Sequence, residues 1–171
     1  VETGGLSIQA LETPGHAPSH VCLFQQERRV LISGDHLLGR VSLYYDVGYS
    51  PDPAGEFLSS LDVVDELDAR LCLSGHGRTF TDVRAHVEAN REAVTERLEK
   101  VRAVISENGR EPLTAFEAVP LVYGEPVTPL NANWWLNETL AYLIHLESTG
   151  RAERIPGDTP TDPERWASRL S

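Results

Sequence analysis

Along the N-terminal part of the chain, apolar and polar residues change period several times, as they do where strands alternate with helices. Leu6, Ile8 and Ala10 alternate with polar neighbours, the period of a half-buried strand, until Pro14-Gly15 breaks it. A second strand is expected from His20 to Phe24, and a third over Val30-Leu31-Ile32, stopping at Ser33-Gly34-Asp35. Residues 39–52 hold no period and read as a surface loop. A helix opens at Asp52-Pro53, where Asp caps orphan amides and Pro at the first helical position forfeits no hydrogen bond. Phe57, Leu61, Val64 and Asp68 recur at helical spacing, with Leu58 and Leu67 widening the stripe. Arg70 to Leu73 reads as a fourth strand ending at Ser74-Gly75-His76-Gly77. The longest periodic stretch runs from about Asp82 to Asn108, with Val87, Val94, Leu98, Val101 and Ile105 on one face. Gly109 stands where a C-terminal cap is expected.

The pattern changes beyond Gly109. Thr114 and Glu117 form a capping box that opens a short helix through Val122. A Pro-punctuated loop from Gly124 to Pro129 leads to a second helix near Asn133. Trp134, Leu136, Leu140, Leu143 and Leu146 supply that helix's apolar content, and Gly150 ends it. Arg151 to Ile155 suits a short strand, followed by a turn at Gly157 to Pro160. The expected organisation is an α/β domain over 1–108 and a small helical, winged-helix-like domain over 109–171.

Composition narrows the function classes. The chain has 171 residues, 40% of them hydrophobic, so a packed core can form. No stretch reaches the ~18 consecutive apolar residues of a membrane span. The net charge of −11 opposes sequence-independent binding of phosphate backbones but leaves open a local cation site. Cys22 and Cys72 sit in apolar strand-like runs, too few for a disulfide scaffold and suited to a reducing cytoplasm. The chain contains no Met and begins at Val1, so a processed or partial protein is expected.

Three residues share one structural situation. His16, Asp35 and His76 each follow a glycine just beyond a strand end, and groups so placed in an α/β sheet converge on a common crevice. Two imidazoles and a carboxylate suit Zn, Fe or Mn, and one carboxylate can bridge two ions. Taken alone, each histidine after a glycine is more often a loop residue satisfied by its own hydrogen bond than a metal ligand.

The ordered set TPGHAPSH, ISGD and LSGHG resembles the second half of the metallo-β-lactamase αββα sandwich, across residues 1–108. It looks closest to the glyoxalase II-like and lactamase-beta-2-like branch, and residues 109–171 resemble the winged-helix appendage of the latter. The resemblance implies a hydrolase with two divalent ions, Zn foremost with Fe or Mn as alternatives, that activates water against a thioester, ester or phosphodiester. It implies that His16 binds one ion, that the catalytic Asp35 bridges two, and that His76 binds the second. His20 and His36 fall to supporting positions, and Tyr44 and Tyr45 are candidates to meet the substrate or to pack. Asp at position 35 argues against the secreted β-lactamases that carry a Cys ligand there.

The family's H-x-H-x-D-H signature is absent from this chain. The expectation is therefore half a site, with partial or no metal occupancy, no activity in the isolated chain, and a sheet face needing an N-terminal half or another chain as cover. A small thioester or ester is the favoured substrate, with RNA possible. The alternative is a non-catalytic or DNA-binding regulatory protein. From Asn133 to Ser148 the expected reader helix has Glu138 and Glu147 and no Lys or Arg, which makes DNA an unlikely partner.

Overall fold

The computed structural model describes residues 2–3, 5–107, 111–159 and 161–169. The expected helix end at Asn108 and Gly109 and the turn residue Pro160 lie outside the described residues. The chain divides into two compact units, residues 1–94 and 95–171.

In the first unit, a two-stranded ribbon of β1 (Glu2–Thr3) and β2 (Leu6–Ser7) precedes a four-stranded sheet. That sheet has the order β3 (Gln9–Glu12), β4 (Val21–Gln25), β5 (Val30–Gly34), β6 (Leu71–Ser74). The first two pairings are antiparallel, whereas β5 and β6 are parallel because helix α1 (Pro53–Asp65) lies in the connection between them. The sheet is thus mixed and the unit is α/β.

Helix α1 starts as its sequence requires. The Asp52 carboxylate accepts the Gly55 amide at 2.9 Å, and Pro53 follows it. Phe57, Leu61 and Val64 form the buried stripe, joined by Ala54 and Ser60. Asp68, expected on that stripe, instead lies past the helix end with φ of 50°, a left-handed conformation that Asp tolerates, and pairs with Arg29. The segment 39–52 has no regular structure, but it is not simply a surface loop. Leu43 and Tyr45 are buried, and the Tyr45 ring meets Phe57 edge-on at 5.8 Å. Without a period, nothing in the sequence separates a buried aromatic from an exposed one.

The two faces of the sheet differ. Cys22, Phe24, Leu31, Ser33 and Cys72 are buried on one face. On the other, Ala10, Leu23, Ile32 and Leu73 stand in register across all four strands, and none is buried.

Helix α2 (Val83–Glu107) contributes to both units. The second unit holds its C-terminal half, α3 (Ala115–Tyr123), α4 (Ala132–Ser148) and a three-stranded antiparallel sheet of order β7 (Leu113–Thr114), β9 (Arg165–Ser168), β8 (Ala152–Ile155). The capping box at Thr114 and Glu117 is formed in both directions. Helix α4 buries Leu143 and Leu146 as expected, but Glu138, Thr139 and Tyr142 complete its inner face while Trp134 is exposed. Glu138 can be buried because the Tyr142 hydroxyl donates to it at 3.0 Å and Arg97 stands 3.6 Å away. Trp135 stacks on Tyr123 at 4.6 Å and Arg97 lies over the same ring. No described helix is long and apolar enough to cross a membrane.

Candidate metal centre

The site is built from loops at the ends of strands in the first unit. After β3, residues 13–20 form a closed loop. The Thr13 amide donates to the His20 carbonyl at 2.9 Å, and Thr13 Oγ1 meets His20 Nδ1 at the same distance. This loop presents His16. Asp35 follows β5, and His76 follows β6.

The structure brings these three side chains together. His16 Nε2 lies 3.8 Å from Asp35 Oδ2, and His76 Nε2 lies 3.2 Å from the same oxygen. His16 Nδ1 faces the Tyr44 carbonyl at 3.2 Å. A carbonyl only accepts, so this contact places a proton on Nδ1 and, in the neutral ring, leaves a lone pair on Nε2. That lone pair and the Asp35 carboxylate are both acceptors. Two acceptors aimed at one another call for a proton or a cation between them, and a carbonyl on the far nitrogen is the usual way a metal-binding imidazole is held. His76 is mostly exposed, so this end of the row is open to solvent.

Glycine is needed beside the row. A Cβ at Gly75, just past β6, would displace Asp35 Oδ1 and crowd the Gly34 carbonyl, so glycine leaves the carboxylate room where it stands. Among the described residues, no three or more His, Cys, Asp or Glu side chains surround one point as a closed cage for an ion. The donors form a row centred on Asp35 rather than a complete shell. Their chemistry fits part of a borderline-metal site.

The remaining expected residues fall behind this row. His20 is half-buried, and its pKa is lowered by burial and then by the nearby His16. His36 points away from the site into the interior. Its ring lies 4.9 Å from Phe57, and burial pushes its pKa down to about 3, which keeps it neutral. Tyr44 contributes its carbonyl to His16, with its ring tilted 5.7 Å from the imidazole. Tyr45 is fully buried, a place for packing rather than for reaching a substrate. Cys22 and Cys72 are buried thiols. Thr13 Oγ1 donates to Cys22 Sγ at 3.2 Å, and the Cys72 thiol donates to Ser33 Oγ at 3.1 Å. Burial raises both, Cys22 to about 11, so neither is a nucleophile at neutral pH.

Sequence reasoning missed two contributions. The Tyr44 carbonyl is a backbone atom, which no residue type signals. Ser60 of α1, whose hydroxyl donates to the Pro14 carbonyl at 2.7 Å, is a lone serine among the helix's apolar positions, and its residue type carries no signal of that bond.

Comparison with known proteins bears on the family and the fold. Residues 1–76 match the family model of the metallo-beta-lactamase superfamily. A lactamase-like protein of Emericella nidulans is 31% identical over 129 residues, which cover 71% of this chain and 40% of the relative. An atrochrysone carboxyl ACP thioesterase of Aspergillus chevalieri is 30% identical over 129 residues, covering 70% of this chain and 39% of the relative. Among solved structures, a metallo-beta-lactamase family protein of Thermus thermophilus superposes with a TM-score of 0.83 and 31% identity, over 99% of this chain and 52% of that one. The chain thus spans about two fifths of these curated relatives and about half of the solved structure. The sheet with its strand-end loops and the row of His16, Asp35 and His76 occur where the family match falls, and through residues 1–76 the chain belongs to the metallo-beta-lactamase superfamily.

Proposed function

We propose that this chain supplies one half of the metal centre of a hydrolase acting on a thioester or ester. The observation that carries the reading is Asp35 Oδ2 facing two imidazole Nε2 atoms, one of them fixed by a backbone carbonyl. His16, Asp35 and His76 would hold the metal, with Asp35 as the bridging carboxylate between two ions. Zn suits these donors, as do Fe and Mn. Such ions, when bound, polarise a carbonyl or phosphoryl oxygen and make water nucleophilic at neutral pH.

The chain's own residues account for orientation. The Tyr44 carbonyl keeps the His16 proton on Nδ1, so Nε2 is free to ligate. Asp35 offers a second oxygen beside the one its histidines share, as a bridging role needs. Neither thiol is available as a nucleophile, since both are buried with raised pKa. The thioesterase relative supports an acyl thioester over a phosphodiester, and the acidic balance of the chain disfavours long RNA.

The row of donors is not a complete shell, and the uncovered row Ala10, Leu23, Ile32, Leu73 is apolar. Both features support a further protein segment or another chain that completes the site and covers the sheet. The second unit is read as a winged-helix-like module, supported by its order of helix, strand, two helices and two paired strands. Its burial of Glu138 and the lack of Lys and Arg on α4 disfavour a DNA-reading role.

The test is Asp35→Ala in the gene product that contains this chain. Turnover of an acyl thioester and bound metal are both expected to be lost. Unchanged metal stoichiometry would overturn the bridging role. The isolated 171-residue chain is expected to show no chelator-sensitive hydrolysis, and such activity would overturn the need for a completing segment.

A further inference from the structure

The three segments that carry His16, Asp35 and the Tyr44 carbonyl lie outside the paired strands at those residues, yet a metal-binding row tolerates only about 0.5 Å of misplacement. Something must register them. Each segment places one residue toward the site and its neighbour toward α1. His16 faces the site, and Gly15 abuts Phe57 so closely that a Cβ there would stand 2.5 Å from the Phe57 Cα. Asp35 faces the site, and the next residue, His36, lays its ring 4.9 Å from the Phe57 ring. The Tyr44 carbonyl faces His16, and the next residue, Tyr45, meets Phe57 edge-on at 5.8 Å. One turn further along α1, the buried Ser60 hydroxyl donates to the Pro14 carbonyl at 2.7 Å.

Resting on the reading of His16 and Asp35 as metal ligands, we propose that Phe57 and Ser60 are positioning residues for the metal centre. Through Gly15, His36 and Tyr45 the Phe57 side chain and backbone set where His16, Asp35 and the Tyr44 carbonyl stand. Ser60 fixes the loop that carries His16. Neither residue touches the metal row itself. The His36 ring fits this role, because it is buried and packs against Phe57. Gly15 is then required for the approach of the loop to α1 as much as for its φ of 129°.

The experiment uses the 171-residue chain labelled with ¹⁵N-histidine, with Co²⁺ as the metal probe. Long-range ¹H–¹⁵N spectra report the Nδ1–H tautomer of His16 without any metal. Ser60→Ala and Phe57→Leu are expected to shift the His16 ring nitrogens and to weaken Co²⁺ binding by about 10-fold or more, the usual loss when the supports of metal ligands are removed. Ser59→Ala is the control, since that exposed hydroxyl bonds the Gly55 carbonyl within its own helix, and it is expected to leave both readouts unchanged. If folded Ser60→Ala and Phe57→Leu keep wild-type His16 signals, the proposal is overturned. Should Phe57→Leu fail to fold, Ser60→Ala alone decides. The metal reading fails separately: Asp35→Asn binding Co²⁺ like wild type sinks the ligand assignment. If the wild-type chain binds no Co²⁺, as half a site allows, the His16 spectrum alone decides positioning.

Discussion

The two units place their buried polar groups in opposite ways. In residues 1–94 these groups lead toward a surface. Thr13 and Ser33 anchor the cysteines and His20, and the loops they brace open onto Asp35 and the exposed His76. In residues 95–171 they close on themselves. Arg97 covers Tyr123, Tyr123 stacks on Trp135, and Glu138 takes the Tyr142 hydroxyl inside the helical layer. The sheets differ in the same sense. The four-stranded sheet is apolar on both faces with only one covered, whereas the small sheet buries Trp166 under Arg154.

Adjacent residues on β5 give the sharpest way to break that contrast. Leu31 is fully buried and Ile32 is 42% exposed on the opposite face. Leu31→Ala is expected to cost about 2–5 kcal/mol through lost contacts and a cavity. Ile32→Ala should cost well under about 1 kcal/mol, because little of that side chain leaves water on folding. Urea titrations of both variants of this chain check it. Equal losses would mean that the second face is already packed in solution.

A smaller effect tests the closed network of the second unit. Burial raises the pKa of Glu138 above the usual glutamate value, against the pull of Tyr123, Arg97 and Tyr142. The native state therefore holds that proton over a range where the unfolded chain has released it, and stability falls as pH rises through that range. Glu138→Gln should flatten this decline and, at neutral pH, stabilise the second unit. Thermal unfolding followed from pH 4 to 8 measures it. A variant whose stability keeps the wild-type pH profile would remove Glu138 as its source.

These two tests also mark how far local pattern carries. Helix starts were legible because a cap and its amide lie within one turn, as at Asp52 with Gly55 and Thr114 with Glu117. The gathering of His16, Asp35 and His76 was legible because each follows a glycine at a strand end, and the loops of one sheet edge converge. Pairing over long separations was not. The strand around Trp166 carries no period of its own and exists because it is hydrogen-bonded between β7 and β8. Tyr45, in a loop without period, gave no sign that it is buried. The inner face of α4 was misread because Glu138 counts as polar until Arg97 and Tyr142 are seen beside it.

The helix starts give the smallest and most local comparison of the two units. Asp52 satisfies one amide of α1. Thr114 accepts the Glu117 amide at 3.2 Å, while the Glu117 carboxylate takes both the Thr114 amide and its hydroxyl, at 2.8 and 2.9 Å. That carboxylate also receives Arg165 from β9 at 3.2 Å, and these contacts hold its pKa below the usual value. Losing a cap of either kind costs about 1 kcal/mol on its own. Thr114→Ala should exceed Asp52→Ala by several tenths of a kcal/mol, because it also frees Glu117 and loosens its grip on the strand that carries Trp166. Adding Arg165→Ala separates the parts: if the box and the strand contact are coupled, the double variant loses less than the two single losses together. Strict additivity would show that the capping box acts on its helix alone.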